Sequence, residues 1–80
     1  MQADEVKQLV EQQLEGCEVT TEGEGCDFRV TVVGEIFKGL TPVKKQQLVY
    51  GCLSEQIANG TIHALTIRAY TPEQWQAVNN

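Results

Sequence analysis

Apolar residues recur every three or four positions at the start of the chain, at Ala3, Val6, Leu9, Val10 and Leu14. That spacing predicts an amphipathic helix over residues 3–15, stopped by Gly16. The period then changes to two. Cys17, Val19 and Thr21 share one parity and predict a weak strand over 17–22, while Phe28, Val30 and Val32 predict a firmer one over 28–33. Between them, Glu22-Gly23-Glu24-Gly25-Cys26-Asp27 holds two glycines and reads as a turn or short loop. The two strands are therefore expected to form an antiparallel hairpin.

Residues 34–40 follow no period, with Phe37 expected in the core and Gly39 allowing a bend. Thr41-Pro42 opens a long helix, since threonine caps well and proline is tolerated at the first helical position. Val43, Val49, Tyr50, Leu53 and Ile57 form one broad apolar stripe along it, with Lys44, Lys45 and Gln47 on its flanks or outside. Asn59-Gly60 ends this helix. Residues 62–70 carry the strongest strand pattern, and Thr71 with Gln74 three residues on forms a capping box for a short last helix. The order is αββαβα. A helix lies between the second and third strands, so these should run parallel through a right-handed crossover. The expected fold is α+β: a three-stranded mixed sheet with helices on one face, leaving its other face or its edges to a partner.

Composition narrows the setting. Eighty residues make one domain, 1–80, and bury only about 60% of the unfolded surface, which leaves little material for an enclosed substrate cavity. No apolar run approaches the roughly 20 residues of a membrane span. An acid pair, Asp4-Glu5, stands where a signal peptide needs basic residues, so a cytoplasmic, membrane-free location is expected. Cys17, Cys26 and Cys52 are three in number with no CxxC spacing, which suits reduced thiols better than a disulfide framework or a closed zinc site. Net charge is −5 and unevenly placed. Residues 1–27 hold eight carboxylates and one lysine, a formal −7, while the remainder holds five cations and three carboxylates, +2. The molecule as a whole repels nucleic acid. Lys38, Lys44 and Lys45 are either a solvated face or a local attraction for an anion or acidic partner.

Chemistry-bearing residues are few. Gly23-Glu24-Gly25 runs into acid and a strand rather than lysine and a helix, so it is no phosphate loop. A cysteine–histidine nucleophile pair would need a pocket and an oxyanion site that so small a domain hardly provides, and no enzymatic activity is expected. His63, the only histidine, shares the parity of Leu65, Ile67 and Ala69 and reads either as a histidine at the edge of the core or as a ligand. Cys26 sits in the exposed hairpin loop, within reach of metal or oxidant. Cys52 and Cys17 read as core or flank.

Three separated blocks carry a resemblance that covers nearly the whole chain. They are Val33-Gly34-Glu35-Ile36-Phe37-Lys38-Gly39-Leu40, Val43-Lys44-Lys45-Gln46-Gln47-Leu48-Val49-Tyr50, and the run from Ile62-His63-Ala64 through Thr71-Pro72-Glu73-Gln74-Trp75. With them the chain resembles the BolA family, most closely its bacterial IbaG-like branch. The resemblance implies a type II KH-like fold and a non-enzymatic partner protein. It implies a heterodimer with a monothiol glutaredoxin that holds a bridging [2Fe–2S] cluster together with glutathione, none being expected in the isolated protein. The family's histidine ligand falls on His63. Its second ligand comes from the hairpin loop, as cysteine in some branches and histidine in others; here Asp27 stands just before Phe28, with Cys26 one residue earlier. The family is also described as a DNA-binding transcriptional regulator of stress response or morphology. That alternative runs through Lys38, Lys44 and Lys45, against the net charge and without a GxxG loop between adjacent helices. The free protein is expected as a monomer or weak homodimer.

Overall fold

The computed structural model describes residues 1–79. Helix α1 spans Ala3–Gln13. The Gln2 amide donates to Glu5 Oε1 at 3.1 Å, and Asp4 and Glu5 place negative charge on the first turn, where the helix dipole favours it. Val6, Val10 and Leu14 lie one turn apart and are buried. The helix stops two residues earlier than its apolar spacing predicts, because Leu14 leaves helical geometry (φ −116°, ψ 73°).

Strands β1 (Glu18–Glu24) and β2 (Asp27–Val33) form the expected antiparallel hairpin, with Val19 opposite Val32 and Gly23 opposite Phe28. The connection is tighter than a six-residue loop: only Gly25 and Cys26 lie outside the pairing. Gly25 has a positive φ of +68°, the conformation that glycine brings to the first position of a two-residue hairpin turn. Gly23 makes the extension possible. Its φ is +119°, and a Cβ there would run into the Asp27 carbonyl.

After β2 comes a 3₁₀ turn, Glu35–Phe37, which drives the fully buried Phe37 ring into the core. The long helix expected from Thr41 onward is two helices, α2 (Pro42–Cys52) and α3 (Ser54–Ala58). Thr41 caps α2 as anticipated, its hydroxyl accepting from the Lys44 amide at 3.2 Å. Leu53 breaks the run (φ −120°, ψ 12°) while its side chain stays fully buried, one turn on from Val49. Strand β3 (Ala64–Tyr70) is two residues shorter than its pattern suggests, with the buried Ile62 anchoring the approach. Helix α4 (Pro72–Asn79) opens with the capping box: the Gln74 amide donates to Thr71 Oγ1 at 3.2 Å, and the Thr71 amide to Gln74 Oε1 at 3.0 Å.

The sheet order is β1-β2-β3, antiparallel then parallel, with β2 in the centre. Val19, Phe28, Val30 and Val32 face the helices and are buried with Val49, Leu53 and the α1 valines. Glu18, Thr20, Glu22, Arg29, Thr66 and Arg68, on the opposite parity, are exposed. One face of the sheet is covered and the other is open.

Candidate functional site

The parallel register of β2 and β3 brings the hairpin turn to the start of β3, since Asp27 lies opposite Ala64. The Cys26 carbonyl there accepts two backbone bonds, from the His63 amide at 2.9 Å and the Ala64 amide at 3.2 Å. Cys26 and His63 are thereby fastened together through the main chain while both residues are exposed. His63 is thus not a histidine at the edge of the core. It lies one residue before β3, and Ile62, beside it, takes the buried position instead.

The approach to His63 is ordered by local bonds. Asn59 Oδ1 accepts from the Thr61 amide at 2.9 Å and the Thr61 hydroxyl at 2.6 Å, and the Ile62 amide donates to the Gln56 carbonyl at 3.1 Å. With Ile62 packed in the core, the imidazole is carried on a positioned segment rather than a loose loop. An exposed thiol and an exposed imidazole are competent iron–sulfur donors. They supply two positions only. Among the described residues no group of three His, Cys, Asp or Glu side chains is placed to hold a metal ion.

The other cysteines belong elsewhere. Cys52 is buried, its thiol directed to the Leu48 carbonyl at 3.4 Å, and burial pushes that thiol's pKa up, with Cys17 adding to the effect. Cys17 is half-buried and its pKa is likewise raised by burial. It packs against Gly34, where any Cβ would collide with its sulfur. Gly34 follows the far end of β2, so the length of that strand, about 20 Å, separates this thiol from Cys26.

The three lysines do not form one solvated face. Lys38 is exposed but sits between Glu35 (3.6 Å) and Glu73 (3.4 Å), and these carboxylates, Glu35 first, raise its pKa. Lys45 is only 8% exposed and its ammonium donates to Gln74 Oε1 at 2.8 Å. Its expected place on the flank or outside of the helix is corrected: α4 closes over that side of α2. Lys44 alone is exposed with no carboxylate partner among the described residues. Val43 and Tyr50, expected on the buried stripe, are 66% and 48% exposed. They look outward beside β3 and line a hollow with Gln46, Gln47 and Ile67. The sequence signal for that surface was present in two large apolar residues on α2, but helical spacing alone assigned them to the core.

A family model described as BolA-like protein matches residues 5–74. The acid stress protein IbaG of Escherichia coli K12 is 47% identical over 75 residues, covering 94% of this chain and 89% of that one. The DNA-binding transcriptional regulator BolA of Vibrio cholerae is 47% identical over 57 residues, 71% of this chain and 53% of that one. Among solved structures, a BolA homologue from Coxiella burnetii superimposes with a TM-score of 0.83 at 31% identity, covering 95% of this chain and 97% of that chain.

Proposed function

The chain belongs to the BolA-like protein family, and from that premise we propose that it is a non-enzymatic partner of a monothiol glutaredoxin, with His63 and Cys26 contributing ligands to a shared [2Fe–2S] cluster. The observation that carries this reading is the fastening of Cys26 to His63 through the Cys26 carbonyl. The soft sulfur and borderline nitrogen donors belong to two exposed residues whose main chains are bonded to each other, one on a two-residue turn and one at an anchored strand start. Such a set is too small to close a site by itself and suits a cluster whose remaining thiolates come from the partner and from glutathione. Bound there, the cluster would supply one-electron chemistry, at a potential raised by imidazole ligation. The chain's own task is positional. Gly25 lets the turn close tightly, Ile62 and the Asn59–Thr61 bonds set the strand start, and the parallel register holds the two donors at one end of the sheet. The relatives named above are a stress protein and a transcriptional regulator, which agrees with a binding role rather than turnover.

Anaerobic reconstitution with a monothiol glutaredoxin, glutathione and iron tests the proposal through the visible absorption and circular dichroism of the mixed complex. His63→Ala is expected to remove the mixed-complex signature and Cys26→Ala to weaken or alter it, while apo association persists in both. An unchanged spectrum and cluster stability in His63→Ala would reject the ligand assignment.

Direct DNA binding, suggested by the name of the Vibrio relative, is the second reading. Of the three lysines expected to carry it, only Lys44 is exposed and without an ion pair among the described residues, since Lys45 is buried and Lys38 is paired with two carboxylates. One phosphate contact gives a log–log salt slope near about −0.9, far from that of a regulator with many contacts. A slope several times steeper, abolished by Lys44→Glu, would favour this reading over the first.

A further inference from the structure

Strand β3 ends the sheet, and its outer edge has no neighbouring strand among the described residues. Two bonds fix which backbone groups face that edge. The Ala64 amide points to the Cys26 carbonyl, and the Tyr70 carbonyl accepts from the Gly34 amide at 3.0 Å, both on the β2 side. Because successive residues of a strand turn their backbone groups to opposite sides, Thr66 and Arg68 also bond to β2. Leu65, Ile67 and Ala69 therefore direct their N–H and C=O groups outward. No hydrogen bond to those groups is formed among the described residues.

The edge forms the floor of an open cleft of about 520 Å³, walled by Pro42 and Gln46 of α2 and by Ala77 and Val78 of α4. The 310 Å³ hollow at Val43 and Tyr50 continues it. Val43, Tyr50 and Val78 are among the large apolar residues left exposed. The opposite sheet edge is guarded. Strand β1 carries Glu18, Glu22 and Glu24, and α1 packs on it, with Thr21 Oγ1 donating to the Ala3 carbonyl at 2.8 Å. Charge on an edge strand discourages pairing, and β3 carries one charged residue, Arg68, against the three glutamates of β1.

The charge of the cleft selects its occupant. In a chain of net charge −5, the residues lining these two hollows include no carboxylate, and the larger cleft includes Arg68, which on the open face also lines a hollow with Glu22 and Arg29. Arg29 is neutralised by Glu22 at 3.2 Å and Lys38 by two glutamates, whereas Arg68 makes no ion pair among the described residues. We propose that the β3 edge accepts an extended, acidic–apolar segment of a partner protein as a fourth strand. Side chains alternate across the sheet, with Ile67 on the helix-covered side and Arg68 on the open side. An added strand places its apolar residues toward Val43 and Tyr50 and its carboxylates beside Arg68. This is strand addition to an exposed edge: main-chain bonds give affinity and alternate side chains give specificity. The outward N–H and C=O groups match a peptide backbone, and although Tyr50 and Tyr70 line the hollows, a chain of net charge −5 repels a nucleic acid as a whole. The proposal is independent of the cluster-ligand reading.

Titration of the full chain, ¹⁵N-labelled, with a short capped peptide of alternating glutamate and valine tests it. The Leu65, Ile67 and Ala69 amides are expected to shift and to gain hydrogen-exchange protection. Affinity should exceed that for the lysine–valine counterpart at least about tenfold, and Arg68→Glu should reverse that order. A glutamate–valine peptide N-methylated at alternate residues keeps its charges but lacks the amide donors, and should bind at least about tenfold more weakly. Equal binding of the methylated peptide, or unshifted edge amides, overturns the proposal. So does a single-stranded oligonucleotide that shifts the same amides and displaces the peptide. Edge amides already protected by concentration-dependent self-association would assign the edge to a second copy instead, and equally refute it.

Discussion

Replacing Gln74 by alanine removes one oxygen that serves two donors in two elements. Gln74 Oε1 accepts from the Thr71 amide at 3.0 Å, closing the cap of α4, and from the Lys45 ammonium at 2.8 Å, tying α4 to α2. A hydrogen bond to a charged group contributes about 1.5–3 kcal/mol, and the loss leaves a largely buried lysine without its acceptor. The capping contribution adds about 0.5–1 kcal/mol. Gln74→Ala is therefore expected to destabilise by about 3 kcal/mol. For a domain of this size that corresponds to a fall in Tm of roughly 12–24 °C.

Lys45→Met supplies the contrast. It keeps the apolar stem that packs between α2 and α4 and removes the ammonium, while Gln74 retains the Thr71 amide, so its cost should be about 1 kcal/mol. Urea unfolding followed through Trp75 fluorescence reads both, since Trp75 lies on α4 with its ring 5.3 Å from that of Tyr70. The midpoint should shift with an unchanged m-value. The Lys45→Met/Gln74→Ala double mutant should show a coupling of about 1–2 kcal/mol. A Gln74→Ala cost below about 0.5 kcal/mol, or no coupling in the cycle, would refute the reasoning and return Lys45 to the surface.

The three thiols should separate in alkylation followed by mass spectrometry: Cys26 is expected to react at least about 100-fold faster than Cys52, which is buried and has a raised pKa. Because the Cys17 and Cys52 thiols are raised by burial, their contribution to stability is complete below the ordinary thiol value of 9.0 and is lost as pH rises through the folded values. Lys38 is shifted in the same direction, so the comparison is between the wild type and Cys52→Ala, whose stability should fall less steeply in that alkaline range. Gly34→Ala forces a methyl group onto the Cys17 sulfur and should cost about 1–3 kcal/mol in denaturant unfolding, with partial recovery in Gly34→Ala/Cys17→Ala.

Period-two and helical spacing were enough for the element order and the sheet, because Val6, Val10, Phe28, Val30 and Val32 obey their local patterns and all are buried. The candidate ligands were also legible, as chemistry at particular positions and through the family resemblance. Their fastening through the Cys26 carbonyl needed only the parallel crossover that a helix between two strands implies. What spacing could not reveal was non-local. Lys45 is buried because α4, nearly thirty residues on, supplies both a cover and an acceptor. The break at Leu53 leaves no trace in the spacing, because Leu53 follows the buried Val49 by one turn and is buried as a continuous helix would also place it. Val43 and Tyr50 satisfy the apolar stripe but lie beyond the sheet edge, where no element among the described residues covers them. Pattern analysis reads them as core because it sees periodicity and not the width of the sheet.

Strand β3 then serves two surfaces, and their separation is itself testable. His63 precedes the strand and Ile67 sits at its middle, four residues or about 13 Å along the chain. The register that fixes His63 depends on β2, whereas the edge at Ile67 faces away from β2. Effects at sites farther apart than about 7–10 Å with no shared partner are additive within about 0.5 kcal/mol, a factor of two to three in affinity. His63→Ala should therefore leave the affinity of the glutamate–valine peptide unchanged within that factor. Arg68→Glu should leave the visible spectrum of the glutaredoxin mixed complex unchanged, even where it reverses the peptide preference. If Arg68→Glu instead removed that spectrum while the isolated chain kept its stability, the edge and the ligand pair would belong to one continuous partner interface, and the independence argued from the strand geometry would be wrong.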